Sequence, residues 1–151
     1  MQVTLALWLP RDEMSIPVAR HIVKAAMENV GVEPGCVHDI EIALTEACTN
    51  VLKHSGPGDE YEVSFELDDE ITILRVIDTG RGFDFASLED TTSAPTDERG
   101  RGVSLMHALV DLVKFESKPE AGTIVHLEKR IEIADGSLLS RAINQDQAAR
   151  D

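Results

Sequence analysis

Glu46, Asn50 and His54 follow one another at intervals of four residues in a stretch with helical patterning. At about 100° per residue they spread over only about 80° of a helix surface and form one polar stripe. The apolar stripe of the same helix, Val37, Ile40, Leu44, Ala47, Cys48 and Val51, is centred about 100° away, so the polar residues flank the core face, a position suited to the wall of a cleft. A carboxylate there can act as a general base toward a hydroxyl or water, and an amide oxygen beside it can ligate Mg²⁺, which takes hard oxygen ligands. A solvated helix flank explains the same spacing.

Two further segments carry chemistry. Val76-Ile77-Asp78-Thr79-Gly80-Arg81-Gly82-Phe83 reads as an apolar strand ending in an aspartate and two glycines. A strand-end carboxylate can accept a hydrogen bond from an exocyclic amine, and glycines let the backbone approach a flat ring. An ordinary Asp-Thr-Gly turn is the competing reading. Glu98-Arg99-Gly100-Arg101-Gly102-Val103 places glycines immediately before a predicted helix, where free backbone N–H groups and the helix dipole favour phosphate. A glycine-rich helix entrance with no ligand has the same composition.

These residues need elements to hold them. Val3, Leu5, Leu7 and Leu9 alternate with less apolar neighbours up to Pro10, which predicts an opening strand. Ser15 as N-cap and Pro17 in the first turn open a helix whose apolar positions run from Ile16 to Val30, with Gly31 ending it. A second helix is expected from about Pro34 to His54, stopped by Ser55-Gly56-Pro57-Gly58. Tyr61 to Leu67 and Ile71 to Asp78 read as a hairpin turning at Asp68-Asp69-Glu70. Residues 79 to 102 read as irregular, followed by a helical stripe from Val103 to Val113, a strand at Val113 to Ser117, a turn at 118–122 and a last strand with Thr123, Val125 and Leu127.

This order suggests an α+β two-layer sandwich, a mixed, mostly antiparallel sheet with helices on one face. One domain is expected over residues 1–130. Residues 131–151 hold only the weakly amphipathic patch Leu138, Leu139, Ala142 and Ile143, and read as a loosely docked or frayed extension.

With 151 residues, 42% of them hydrophobic, the chain is long enough to bury a sizeable core. A net charge of -14 opposes nucleic-acid binding, and the acidity reads as a solvated surface or a face for a basic partner. No apolar run approaches the roughly 20 residues a membrane span needs, so a soluble cytoplasmic protein with no membrane contact is expected. Cys36 and Cys48 suit neither a disulfide framework nor a metal clip, and read as buried or idle thiols. There is no P-loop motif, no third glycine for a dinucleotide fingerprint, no paired metal spacing among the histidines and no nucleophile elbow.

Taken in order, helix stripe, strand-Asp-x-Gly-x-Gly, loop and Gly-x-Gly resemble the GHKL ATP-binding superfamily, the Bergerat fold. Glu46-Ala47-Cys48-Thr49-Asn50-Val51-Leu52-Lys53-His54 resembles its N box, Asp78-Thr79-Gly80-Arg81-Gly82 its first glycine box and Gly100-Arg101-Gly102 its second. Gly122-Thr123 resembles the threonine site that assists adenine binding. The small size and the wording of Thr45 to Asn50 and of Glu98 to Gly102 are similar to the bacterial anti-sigma factors with serine-protein kinase activity.

That resemblance implies ATP and Mg²⁺ as cofactors, a sigma factor held by a homodimer, and phosphorylation of a serine or threonine on a STAS-domain anti-anti-sigma factor. It implies Glu46 as base, Asn50 on Mg²⁺, Asp78 on the adenine amine, and the glycines, with His54, Arg99, Arg101 and Thr123, around the nucleotide. Residues 84–101 would form a lid whose acidic groups Arg99 and Arg101 offset, and Arg20 would contact protein partners. The alternative is a non-catalytic GHKL-fold regulatory module that binds protein.

Overall fold

The computed structural model describes residues 1–54, 60–78, 98–118 and 122–151. In chain order its elements are β1 (Val3–Pro10), α1 (Ser15–Val30), α2 (Pro34–His54), β2 (Glu60–Leu67), β3 (Ile71–Asp78), α3 (Glu98–Leu109), β4 (Leu112–Lys118), β5 (Gly122–Arg130) and α4 (Leu138–Arg150). The strands form one five-stranded sheet in the order β1-β2-β3-β5-β4, and each of the four pairings is antiparallel. The mostly antiparallel α+β sandwich expected from the alternation of elements is the architecture found.

Strand alternation selects one face of that sheet for burial. Tyr61, Val63, Phe65 and Leu67 on β2, Leu74 and Val76 on β3, and Val125 and Leu127 on β5 are all buried. They meet Ala19, Val23 and Met27 of α1 and Ile40, Ala43, Leu44, Ala47, Cys48 and Val51 of α2 in one core. Because side chains on a strand point alternately to opposite faces, Thr72 and Asp78 of β3 and Thr123 of β5 share this helix-facing side with the core residues. Asp78 and Thr123 are directly opposite each other in the register. Two polar residues therefore stand at one end of a buried apolar face.

Two local readings change. Ser15 is the first residue of α1, not a side-chain cap: its hydroxyl donates to the Asp12 carbonyl at 2.6 Å and lies 2.6 Å from the Tyr61 hydroxyl. Helix α3 begins at Glu98, so Gly100 and Gly102 lie inside it instead of preceding it. The amides without intrahelical partners are then those of residues 98–101, the first turn.

Beyond the sheet, residues 131–151 carry an antiparallel bridge from Val32 to Ile133 and a helix, α4. The backbone amide of Glu33 donates to Glu132 and that of Ala134 to Gly31. Ser137 caps α4 by accepting from the Ser140 amide at 3.1 Å, and Leu139 is fully buried. Gly31, which ends α1 at φ 102, must be glycine twice over, since a Cβ there would stand 2.0 Å from the Ser137 Cβ. The anchor of this segment is thus a tertiary contact with the α1–α2 corner, invisible to a periodicity reading of the tail.

Candidate functional site

Helix α2 packs against β3 and β5, Arg11 joins Asp78 at the end of β3 to Leu52 in the last turn of α2, and α3 packs along α2. Asp78 is fully buried, Thr123 is 2% exposed and Asn50 is 7% exposed, so three of the expected site residues are among the few buried polar groups of the described residues. Buried polar groups are nearly always hydrogen-bonded. The Thr123 hydroxyl and the Asn50 side-chain nitrogen nevertheless have no hydrogen-bond partner among the described residues. Each such group left unpaired costs about 1–3 kcal/mol, so their persistence marks a place shaped for something polar to enter.

Glu46, one helical turn before Asn50, is half-buried and reaches toward α3. A Cβ added to Gly102 would stand 2.8 Å from Glu46 Oε2 and 3.8 Å from its carboxyl carbon. Glycine inside a helix costs about 1 kcal/mol relative to alanine, but here its missing side chain is the space into which the carboxylate fits. The second glycine pair thus has a function that its sequence position did not reveal: Gly102 lets the Glu46 carboxylate approach the start of α3.

Asp78 holds a charge partner. Arg11, just beyond β1, donates from Nη1 to Asp78 Oδ2 and from Nη2 to the Leu52 carbonyl at 3.3 Å. Leu52 lies in the last turn of α2, where exposed carbonyls and the helix dipole favour a cation. Sequence reasoning missed Arg11, because its partner is 67 residues away and no local spacing connects the two.

Beneath the site, a buried chain of hydroxyls ties α2 to the sheet. Since Ser15 donates to Asp12, the Tyr61 hydroxyl is left to donate to Ser15, and the Cys48 thiol bonds to Tyr61 in turn. Burial pushes the Cys48 thiol up to about 12; burial, reinforced by Cys48, also pushes Tyr61 up to about 12. Cys48 is thereby an inert core thiol, and Cys36 is buried as well.

Arg20 shares a cavity of about 280 Å³ with His38, Glu41, Ile42, Thr45 and Glu46, which puts the expected partner-contact residue on the same wall as the expected base. For His54, Arg99, Gly100 and Arg101 the structure gives helical backbone, with His54 closing α2 and the other three in the first turn of α3. Gly80, Gly82 and residues 84–97 of the expected lid lie outside the described residues. Among the described residues no group of three or more His, Cys, Asp or Glu could hold a metal, and no helix is long and apolar enough to cross a membrane.

The residues fit a nucleotide. A buried carboxylate opposite an unpartnered hydroxyl can receive a base with an exocyclic amine. An unpartnered amide sits one turn from a carboxylate that a helix N-terminus approaches, the elements that phosphate and cation recognition require.

Comparison with known proteins supports the same reading. Residues 9–129 match the histidine kinase-like ATPase domain. A serine-protein kinase RsbW of Halalkalibacterium halodurans is 28% identical over 139 residues, covering 85% of this chain and 84% of that protein. An anti-sigma F factor of Bacillus licheniformis is 33% identical over 103 residues, covering 62% of this chain and 68% of that factor. A crystal structure of RsbU and RsbW domains from Mycobacterium tuberculosis superposes with a TM-score of 0.65 at 19% identity, over 85% of this chain. This chain spans 32% of that structure's chain, and at that identity the likeness concerns the fold. With a match that runs from the last residues of β1 through α1, α2 and α3 to the end of β5, the chain belongs to the histidine kinase-like ATPase domain family.

Proposed function

We propose that this protein is an ATP-dependent serine/threonine protein kinase that also acts as an anti-sigma factor: with Mg-ATP it phosphorylates a STAS-domain anti-anti-sigma factor, and as a homodimer in the cytoplasm it holds a sigma factor. The observation that carries the reading is the approach of Glu46 to Gly102, which sets a carboxylate against the start of α3 within one helical turn of Asn50. The relatives named serine-protein kinase RsbW and anti-sigma F factor support the same activity and the same kinds of partner.

The roles follow from chemistry. Asp78 accepts a hydrogen bond from the adenine amine, and Thr123, opposite it in the register, supplies the second polar contact to the base. Asn50 presents its amide toward Mg²⁺ and the phosphates. The first turn of α3, with Gly100, Gly102, Arg99 and Arg101, gathers phosphate through backbone N–H groups and cationic side chains. Gly80, Gly82 and His54 complete the nucleotide surround.

Mg-ATP supplies the phosphoryl group and a cation that offsets its charge. Glu46 accepts the proton of the acceptor hydroxyl, and Arg20, on the same cavity wall, contacts the protein that carries it.

The test is incubation of the purified chain with labelled Mg-ATP and a STAS-domain candidate. Transfer of label to a serine or threonine of that protein, abolished by Glu46→Gln, is the expected result. Nucleotide binding and partner capture without transfer would instead identify a non-catalytic regulatory module.

A further inference from the structure

The approach of Glu46 to Gly102 depends on where α3 sits along α2. Helices packed side by side can slide on one another, and a slip of one residue moves a contact by about 1.5 Å. The contact tolerates little of that, because a Cβ on Gly102 would lie 2.8 Å from Glu46 Oε2 and only glycine leaves that space open. Something must hold the two helices in this register.

Lys129 is placed to do so. Strand alternation sets it on the helix-facing side of β5, in line with Thr123, Val125 and Leu127. Its ammonium donates to the carbonyl of Leu109, the last residue of α3, at 2.8 Å, and stands 3.5 Å from Asp39 Oδ2 on α2. A cation is favoured at a helix C-terminus, and with the Lys129 side chain only 16% exposed the contact is largely shielded from water. The chain just after α3 is tied to β5 twice more, by the Asp111 amide donating to the Glu128 carbonyl at 2.9 Å and by the Arg130 amide donating to Asp111 Oδ2 at 2.6 Å. Of these three ties, the one made by Lys129 also reaches α2.

The clamp and the site are evenly spaced. Asp39 to Glu46 is seven residues along α2, and Gly102 to Leu109 is seven along α3, about two turns or 10 Å of each helix. The lower-numbered end of one interval meets the higher-numbered end of the other, so the helices run antiparallel with matching rise. Where Lys129 joins Asp39 to Leu109 therefore decides where, two turns on, Glu46 meets α3.

We infer that Lys129 is a positioning residue for the proposed phosphotransfer: it holds α3 against α2 in the register that brings the Glu46 carboxylate over Gly102. This inference rests on the reading of Glu46 as the proton acceptor. Lys129 acts at a distance from the nucleotide, since Thr123 lies six residues earlier on β5, about 20 Å of strand. Its loss should therefore show in turnover and not in nucleotide affinity.

The experiment measures kcat and the KM for Mg-ATP in transfer to a STAS-domain protein, with thermal unfolding alongside, for the parent, Lys129→Met, Lys129→Arg, Gly102→Ala and the double variant Lys129→Met with Gly102→Ala. Lys129→Met keeps the length of the side chain and removes its charge and N–H groups. Its kcat is expected to fall by about 10–100-fold, the scale of a misplacement of about 1 Å at a reacting group, while the KM for Mg-ATP stays near that of the parent. Lys129→Arg, which keeps a cationic donor, should recover most of the loss. In Gly102→Ala the carboxylate is already displaced, so adding Lys129→Met should cost little more, a non-additivity that a clamp serving stability alone would not produce. A folded Lys129→Met with the kcat of the parent, or losses that multiply in full in the double variant, overturns the inference. Should Lys129→Met fail to fold, Asp39→Asn decides, since it removes only the charge on the α2 side of the clamp: a lower kcat at constant KM supports the inference and an unchanged kcat overturns it. No transfer by the parent removes the kinase reading and this role with it, whereas transfer by the parent that Lys129→Met leaves intact removes the positioning role alone.

Discussion

Asp78 and Thr123 take their positions from a strand register, whereas Glu46 and Gly102 take theirs from the approach of two helices. At the strand ends the backbone ladder fixes both residues, and both are buried to within 2%. Between α2 and α3 the geometry is set by side-chain volume, with a half-buried carboxylate fitted over a glycine. On the proposed function the sheet wall would serve binding and the helix wall chemistry. Substitutions on the two walls should separate affinity from turnover.

The largest effect is expected on the helix wall. Glu46→Gln keeps the shape of the side chain and removes the proton acceptor, so phosphotransfer should fall by about 10²–10⁴-fold while Mg-ATP affinity in a calorimetric titration stays near that of the parent. A parallel loss of affinity would break the division between the walls.

Gly102→Ala probes the same wall through volume alone. The new methyl would stand 2.8 Å from Glu46 Oε2 and must push the carboxylate aside. Turnover should drop by roughly 10–100-fold, whereas the helix itself, relieved of an interior glycine, should not be weakened. Thermal unfolding measured beside the kinetic assay checks both halves, and an unaltered turnover would show that the approach of Glu46 to α3 has no catalytic weight.

On the sheet wall, Thr123→Val removes a buried hydroxyl that has no partner among the described residues. Nucleotide affinity should weaken about fivefold while unfolding stability holds or rises by about 1 kcal/mol, because the cost of an unpaired group disappears with it. A loss of stability would mean that the hydroxyl serves the fold.

A smaller effect concerns the Cys48–Tyr61–Ser15 chain, which joins α2 to β2 and α1. The thiol and the phenol ionise from 9.0 and 10.0 as ordinary groups, but near 12 when folded. Over that window the unfolded chain binds fewer protons than the folded one, so stability falls as pH rises from about 9 toward 12. Denaturant titrations at several alkaline pH values should show this slope, and Cys48→Ala or Tyr61→Phe should flatten it. An identical slope in both variants would place the alkaline sensitivity elsewhere.

Much of this architecture can be read from short-range pattern. Alternation in Tyr61 to Leu67 and Ile71 to Asp78 locates a hairpin whose observed bounds, Glu60–Leu67 and Ile71–Asp78, agree closely. The apolar stripe of α2 together with Pro34 and the Ser55-Gly56-Pro57-Gly58 stop locates that helix from end to end. The start of α3 escapes this reading because Glu98 to Gly102 carries no apolar periodicity and two glycines argue against a helix, although tertiary contact with α2 supplies what propensity lacks.

The tail escapes for a related reason. Its anchoring depends on Leu139 and on the fit of Ser137 against Gly31, and neither residue announces a partner in sequence. Asp78 and Asn50 stand out by motif and both are buried, but the pairing of Asp78 with Thr123 needs the β3–β5 register and its pairing with Arg11 needs the closed fold.

The most direct test of the nucleotide site is a calorimetric titration of Mg-ATP into the parent and Asp78→Asn, with circular dichroism to confirm that both are folded. A charged hydrogen bond contributes about 1.5–3 kcal/mol, which corresponds to roughly 10–100-fold in affinity. Saturable binding by the parent and a loss of that size in Asp78→Asn is the predicted result; equal affinity in the two folded proteins would contradict the assignment of the sheet wall to the base.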